Sequence, residues 1–139
     1  MAEAAVIERY VGLPYKPGEF DCADLACQVL REVFGRPVRL PTDRNRPQDV
    51  RGQLREIREW LPSVARRREL GLASNRYVQD GDGVLLAVGG VVRHIGVACW
   101  LADELYVLHN HGAATGSVLT RWRDLRLLGY TVEGVYQWH

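Results

Sequence analysis

The sequence predicts a single α+β domain in which N-terminal helices pack on a central antiparallel β-sheet. The chain has 139 residues, which is the usual size of one domain. Helix-like spacing of apolar residues is confined to its first half, and a period of two begins near residue 78. Helices followed by a run of strands are typical of α+β domains, whereas a wound parallel sheet requires the two to alternate.

Three helical segments are predicted. Residues 4–11 form a short amphipathic turn or two, and residues 21–34 carry apolar residues at spacings of three and four. Asp21 is the expected N-cap of this second helix, with Asp24 as the acidic partner in a near capping box. A third helix follows Pro47, with an apolar stripe ended by Pro62. The stripe consists of Val50, Leu54, Ile57 and Leu61.

Five strands are predicted after the helices. The first two form a hairpin closed at Gly89-Gly90, a pair that favours a primed turn. The predicted strands are 84–88, 91–100, 104–109, 117–121 and 130–138.

Composition excludes several classes of protein. Hydrophobic residues make up 47% and charged residues 25%, as in ordinary globular domains. Eighteen basic residues against 17 acidic ones give no general attraction to nucleic acid. The longest apolar run, residues 83–92, is too short to insert across a membrane. Three cysteines cannot form a fully paired disulfide framework, and the N-terminus lacks the pattern of a secretory signal, so we expect synthesis in a reducing bacterial cytoplasm.

One cysteine and two histidines are placed where they could form a catalytic site. Cys22 begins the second helix, where free N–H groups and the helix dipole stabilise a thiolate. A cysteine nucleophile also needs a histidine and a group that orients it. His94 and His109 are on consecutive antiparallel strands, which can bring them together. On spacing alone, a small core cysteine and structural histidines are the commoner interpretation; Cys27 and Cys99 are both expected in the core.

No metal site is predicted. The chain has neither Cys-x-x-Cys nor His-x-x-x-His spacing. His109 and His111 could chelate an ion, but no third ligand stands nearby in the sequence. The segment at Asp80 and Asp82 lacks the downstream Glu of a calcium loop and fits a turn before the hairpin.

Several motifs together resemble NlpC-type cell-wall peptidases, which are papain-like cysteine endopeptidases. Gly12-Leu-Pro-Tyr15 and Gly18-Glu-Phe-Asp-Cys-Ala-Asp-Leu25 resemble the segment around the family's nucleophile. The other matching blocks are 80–86, His94-Ile-Gly-Val97, Tyr106-Val-Leu-His109 and Gly134-Val-Tyr136. The resemblance covers almost the whole chain, 1–139, as one peptidase domain, with 41–76 as a divergent arginine-rich insert.

The resemblance implies hydrolysis of a peptidoglycan stem peptide, at the bond between D-glutamate and the diamino acid, without a cofactor. It implies that Cys22 is the nucleophile, His94 the general base and acid, and His109 the residue that orients His94; His111 remains the alternative for this third role. Tyr15 corresponds to a tyrosine near the oxyanion, where the Cys22 N–H would donate. Ala23 and Asp24 occupy positions that bind substrate, but the family usually has serine and glycine there.

In two features the chain resembles the peptidases carried in phage tail tips. It has no recognisable export signal, and its Trp122-Arg-Asp-Leu125 block is similar to theirs. The expected location is therefore the virion, with tail-tip proteins as partners and the host cell wall as the site of action. Two alternatives remain open: a structural tail-tip or assembly protein with the same fold and little activity, and a cytoplasmic cysteine amidase.

The arginine-rich segment between Arg44 and Arg68 has two interpretations. It is either a solvated amphipathic helix followed by a basic segment, residues 66–68, or a docking surface for an acidic partner. The arginines on the helix are Arg51, Arg55 and Arg58.

Overall fold

The computed structural model describes residues 3–16, 19–40, 50–69, 75–112 and 114–139, with side chains of the third helix described from residue 57 onward. These residues form three α-helices, a 3-10 helix and a six-stranded antiparallel sheet with strand order β1-β6-β2-β3-β4-β5. The α+β class and the antiparallel sheet are therefore confirmed. The helices are α1 (Ala4–Glu8), α2 (Cys22–Glu32), α3 (Val50–Val64) and the 3-10 helix Trp122–Leu128. The strands are β1 (Ala65–Arg67), β2 (Gly83–Val88), β3 (Val91–Leu101), β4 (Glu104–Asn110), β5 (Ser117–Arg121) and β6 (Thr131–Trp138).

Helix α2 begins with the predicted capping box. The Asp21 side chain accepts the backbone N–H groups of Ala23 and Asp24, both at 3.0 Å. The Asp24 carboxylate in turn accepts the Asp21 N–H at 3.0 Å. These bonds satisfy donors that the first turn of a helix leaves free, and they fix the start of the helix at Cys22.

Helix α3 runs two residues beyond the proline expected to end it. Pro62 lies inside the last turn, where its missing N–H removes a single bond of the helix. Ile57 and Leu61 are fully buried, as the apolar stripe predicts. The side chains of Arg51, Leu54 and Arg55 lie outside the described residues, as does the predicted start of this helix after Pro47.

In the basic segment after α3, Arg66 and Arg67 are exposed, as a solvated exit requires, whereas Arg68 is partly buried. Residues 65–67 form strand β1 at the edge of the sheet, an element that was not predicted. Arg68 is partly buried, with 14% of its side chain exposed, and its Nε lies 2.6 Å from Oδ2 of the buried Asp82, with Nη2 at 3.2 Å from Oδ1. Removing Arg68 would leave the buried Asp82 carboxylate without this compensating charge, so Arg68 stabilises the fold.

The β2–β3 hairpin turns as predicted. Gly89 and Gly90 have φ of 58° and 79°, the two positive values that a type I′ turn requires. Pairing between the strands is irregular between Leu86 and Ala87, and Leu86 is the partner of His94. The irregularity therefore lies beside the histidine that was assigned as the base.

The sheet is covered on both faces. On one face, α2 and α3 pack against the sheet in a cluster that includes Cys22, Leu25, Ile57 and Ile95. The other cluster contains Leu125 of the 3-10 helix and Tyr130. Within the described ranges, no helix has the length and apolar character needed to cross a bilayer.

Candidate active site

The start of α2 places Cys22 beside the peptide group that joins His94 to Ile95. The backbone N–H of Ile95 favours the thiolate form of Cys22, as do the N–H groups of Ala23 and of Cys22 itself. Cys22 and Ile95 also share one buried apolar cluster. Cys22 therefore lies beside the main chain that directly follows His94 on β3, although the two residues are 72 positions apart in the sequence, and no described hydrogen bond joins its thiol to the His94 ring.

The thiol of Cys22 is neutral in this state, contrary to the thiolate that its position at a helix start predicts. Burial and, to a smaller extent, the nearby Asp21 carboxylate outweigh the three N–H groups and raise its pKa to about 12. The residue is 2% exposed. Desolvation of the charged form therefore exceeds the stabilisation that the helix terminus supplies.

His94 has one ring nitrogen engaged and one without a partner. Its Nε2 lies 3.2 Å from the carbonyl oxygen of His111. Because a carbonyl oxygen can only accept, Nε2 carries the proton, and Nδ1 of the neutral ring holds a lone pair. Nδ1 is buried and has no hydrogen-bond partner among the described residues. Burial lowers the His94 pKa to about 4, so the ring is neutral at pH 7.

Three rings pack around that of His94. The ring centroids of His109, His111 and Tyr130 lie 5.6, 6.2 and 5.2 Å from that of His94. The centroids of His109 and His111 are 5.8 Å apart, so the two rings project to the same side. His94 and His109 are therefore neighbours, as pairing of consecutive strands predicts.

His109 contacts His94 through its ring while its hydrogen bond goes elsewhere. Its Nε2 lies 3.0 Å from Oγ1 of Thr120 on β5, and its buried Nδ1 has no partner among the described residues. The bond that orients His94 comes from the main chain of His111. His109 is fully buried, and desolvation lowers its pKa to about 3, with smaller effects from the neighbouring His94 and His111.

His111 follows the last residue of β4, but it is not an exposed loop residue. It is half-buried, and its Nδ1 lies 2.6 Å from the hydroxyl of Tyr130. The residue therefore contributes in two ways: its carbonyl holds His94, and its ring is held by Tyr130.

Gly96 lets β4 approach β3 closely at this point. It is opposite His109 in the register of the two strands. A Cβ on Gly96 would lie 2.6 Å from Cγ1 of Val107 and 3.1 Å from Cβ of His109. Contacts this short are not tolerated, so the absence of a side chain at Gly96 sets the position of the His109 ring.

Tyr15 lies near the thiol, at the end of a loop that is tied to β5. The Leu13 N–H donates to Oγ of Ser117 at 2.8 Å, and the Ser117 N–H donates to the Leu13 carbonyl at 2.9 Å. Burial raises the pKa of Tyr15, with smaller contributions from electrostatic interaction with Cys22 and Asp21. The predicted oxyanion-side tyrosine is thus within electrostatic reach of Cys22.

The two predicted substrate-binding residues next to Cys22 are engaged by the helix cap. Ala23 is fully buried and its N–H donates to Asp21, so it offers no surface to a substrate in this state. The Asp24 side chain is half-buried and accepts the Asp21 N–H. Their role in substrate binding stays a prediction.

The other two cysteines differ from each other. Cys99 is fully buried, as expected, whereas Cys27 is partly exposed and packs at the border of the core. Burial raises the pKa of both thiols. The expectation that Cys27 is a core residue is therefore correct only in part.

Two surface grooves lie near these residues. One, of about 530 Å³, is lined by His111 and by Thr120, the partner of His109. A second, of about 280 Å³, is lined by Leu13, Pro14 and Phe20 in front of α2. Cys22 lines neither groove, in agreement with its burial.

Three residues near the site and one group of side chains were not predicted from the sequence. Tyr130 and Thr120 hold histidine rings, and the buried Oδ1 of Asn110, which follows His109, lacks a partner among the described residues. No motif marks these residues, because their roles depend on strand register. The group consists of three histidines: His94, His109 and His111 each offer a ring nitrogen, and these atoms lie within 4.8 Å of one another. The third ligand that the sequence seemed to lack comes from the neighbouring strand.

Comparison with known proteins gives no family for this chain. It matches no protein-family model, and no curated protein matches it significantly. The arguments that follow therefore rest on its own residues and on the motif resemblance.

Proposed function

We propose that this protein is an NlpC-type cysteine endopeptidase that hydrolyses peptidoglycan stem peptides between D-glutamate and the diamino acid. The observation that carries the proposal is the state of His94. Its Nε2–H is bound to the His111 carbonyl, its Nδ1 is free to accept a proton, and the peptide that follows it contacts Cys22. A base with one nitrogen oriented and the other open is what a neutral thiol needs in order to become a nucleophile.

The proposed reaction begins with transfer of the Cys22 thiol proton to Nδ1 of His94. The thiolate attacks the carbonyl carbon of the scissile amide, and the new C–S bond gives a tetrahedral oxyanion. His94 returns its proton to the leaving amine as the C–N bond breaks, which leaves a thioester on Cys22. Water then attacks the thioester, His94 accepts its proton and returns it to sulfur, and the carboxylic acid product leaves.

The oxyanion would form at the N-terminus of α2. The Cys22 N–H is near its own sulfur, and a helix N-terminus supplies donors and a positive dipole end. Tyr15, which interacts electrostatically with Cys22, is the side chain we assign to the same side of the substrate. The bonds between Leu13 and Ser117 hold its loop in place.

Substrate must uncover the thiol for this reaction to proceed. Cys22 is 2% exposed, and its pKa of about 12 makes it unreactive while it stays buried. The structure therefore corresponds to a resting state with a neutral thiol and a neutral imidazole.

Delivery by a phage tail tip or a phage-derived particle completes the proposal. Its support is the motif resemblance, including the block at Trp122–Leu125, which forms the start of the 3-10 helix. Of the three arginines considered for docking, Arg58 is exposed and lies 3.6 Å from Glu133. An ion pair at the surface leaves this side chain accessible to an acidic partner protein.

One observation favours a second function, that of a structural protein with the same fold. The buried neutral thiol of Cys22 fits a small core residue as well as a resting nucleophile. A structural protein has no need for the open nitrogen on His94, however, because an unpartnered buried polar atom lowers stability.

Digestion of purified sacculi separates the two functions. Wild-type protein and the variants Cys22→Ala and Cys27→Ala are incubated with sacculi, and the soluble products are identified by mass spectrometry. The proposal predicts fragments cut after D-glutamate by wild type and by Cys27→Ala, and none by Cys22→Ala. No products from any of the proteins would favour the structural function, and equal products from Cys22→Ala and wild type would refute Cys22 as the nucleophile.

A further inference from the structure

The strongest unassigned feature of the molecule is the group formed by His94, His109 and His111. One ring nitrogen from each lies within 4.8 Å of the others. Nitrogen atoms in a tetrahedral zinc site are about 3.3 Å apart, because each Zn–N bond is about 2.0–2.1 Å long. The widest pair would therefore need to close by at most about 1.5 Å.

Each of the three rings has one nitrogen fixed by another group. Nε2 of His94 is bound to the His111 carbonyl at 3.2 Å, and Nε2 of His109 is 3.0 Å from Oγ1 of Thr120. Nδ1 of His111 is 2.6 Å from the Tyr130 hydroxyl. A second bond of this kind, which fixes the ring and its tautomer, is the usual companion of a histidine that ligates a metal.

Two of the remaining nitrogens are buried without a partner. Nδ1 of His94 and Nδ1 of His109 have no hydrogen bond among the described residues. Leaving two such atoms unsatisfied costs free energy that a ligand for their lone pairs would recover. Three imidazoles with available lone pairs, and no described carboxylate in the group, suit a transition metal rather than calcium or magnesium.

We propose that His94, His109 and His111 bind one divalent transition-metal ion, of which zinc is the type case. Three protein ligands leave a fourth position for water or another small ligand. The groove lined by His111 and Thr120 reaches this group from the surface and provides a route for the ion.

Metal binding would also regulate the proposed peptidase, and this consequence rests on the proposed function. An ion on Nδ1 of His94 would occupy the lone pair that must accept the thiol proton. Zinc is therefore expected to inhibit hydrolysis reversibly, and a chelator to restore it.

Direct binding measurements test the site without reference to catalysis. The full chain is titrated with Zn²⁺ by calorimetry and with Co²⁺ by visible absorption, in a buffer that does not bind metal. We expect one ion per chain and a d–d spectrum typical of tetrahedral cobalt. The variants His109→Ala and His111→Ala should bind at least 100-fold more weakly, whereas His139→Ala, at the exposed C-terminus, should bind as wild type does.

Two further variants serve as controls. The first tests the site without removing a ligand, so that unfolding cannot explain weaker binding, and the second separates metal binding from peptidase activity. Tyr130→Phe keeps all three ligands and removes the hydroxyl that holds His111, so affinity should fall about 10- to 100-fold. Cys22→Ala removes the proposed nucleophile and should bind Zn²⁺ as wild type does, whether or not the protein is a peptidase. Absence of binding by wild type at millimolar metal, equal binding by the histidine variants, or loss of binding in Cys22→Ala would each overturn the three-histidine site.

Discussion

The ring of His94 is held by the main chain of His111, with Nε2 of His94 3.2 Å from the His111 carbonyl oxygen. This bond sets the tautomer of the ring and leaves Nδ1 as the acceptor. A side chain is not needed for this orientation. Residue 111 would therefore position His94, the proposed base, even if its side chain were replaced.

Replacement of the two flanking histidines should therefore have unequal effects. His109→Ala removes a fully buried ring whose centroid is 5.6 Å from that of His94, so His94 loses its packing and activity should fall at least tenfold. His111→Ala keeps the carbonyl that holds His94 and should lower activity less. Initial rates on a soluble stem peptide, with His139→Ala as control, give the ranking. A larger loss for His111→Ala would assign the third role to its side chain.

Gly96 offers a test of how strand spacing positions His109. A Cβ at this position would meet Val107 and the Cβ of His109, so Gly96→Ala should push β4 away and lower both activity and stability, the latter by about 1–3 kcal/mol. Gly83→Ala is the matched control, since its Cβ would meet Trp138 at 2.5 Å instead. It should lower stability while the folded protein keeps its activity. Equal kcat values for folded Gly96→Ala and wild type would contradict this role of Gly96.

The two buried neutral histidines should make the fold sensitive to acid. Their pKa values are lowered to about 4 for His94 and about 3 for His109, against 6.5 for an exposed ring. Between the lowered and the ordinary pKa values, the unfolded chain binds more protons than the folded protein does. The contribution of these histidines to the free energy of unfolding is therefore fully present above pH 6.5 and is lost as the pH decreases. The loss is about 2 kcal/mol per ring between pH 6.5 and pH 5.

Urea unfolding at pH 7 and pH 5 measures this effect. The free energy of unfolding should be smaller at pH 5, and the difference should shrink in His109→Leu, which removes one of the two groups. An identical free energy at the two pH values would mean that neither histidine is neutral and buried in the folded protein.

Alkylation of the three cysteines should follow their exposure. In the folded protein Cys27 is partly exposed, whereas Cys22 and Cys99 are buried and the pKa of each is raised to about 12. Brief treatment with iodoacetamide at pH 7.5 should therefore label Cys27 first, and unfolded protein should label at all three positions. This order reverses the one expected from the helix position of Cys22 alone. Rapid labelling of Cys22 in the folded protein would show that its thiol is uncovered and ionised.

The sequence predicted elements that carry a local pattern. Alternation and the Gly89-Gly90 pair located five strands, and Asp21 with Asp24 located the start of α2. Strand β1 was missed because Ala65–Arg67 has only three residues, of which one is buried. Pro62 was assigned as a helix end, but in the last turn a proline removes a single bond.

The site depended on features that have no local signature. The neighbourhood of Cys22 and His94 was predicted from motifs, but the neutral state of the thiol follows from burial, which a helix position does not reveal. The bond from His94 to the His111 carbonyl depends on how β4 ends beside β3. The three-histidine group likewise requires the register that places Gly96 opposite His109, and a search by sequence spacing could not find it.

Detection of the covalent intermediate tests the central claim most directly. The full chain is mixed with a soluble stem peptide, quenched in acid within the first turnover, and mapped by mass spectrometry. The account predicts an acyl group on Cys22, carrying the D-glutamyl side of the substrate, and none on Cys27 or Cys99. Hydrolysis of the peptide by Cys22→Ala at the wild-type rate, or an acyl group on another cysteine, would contradict it.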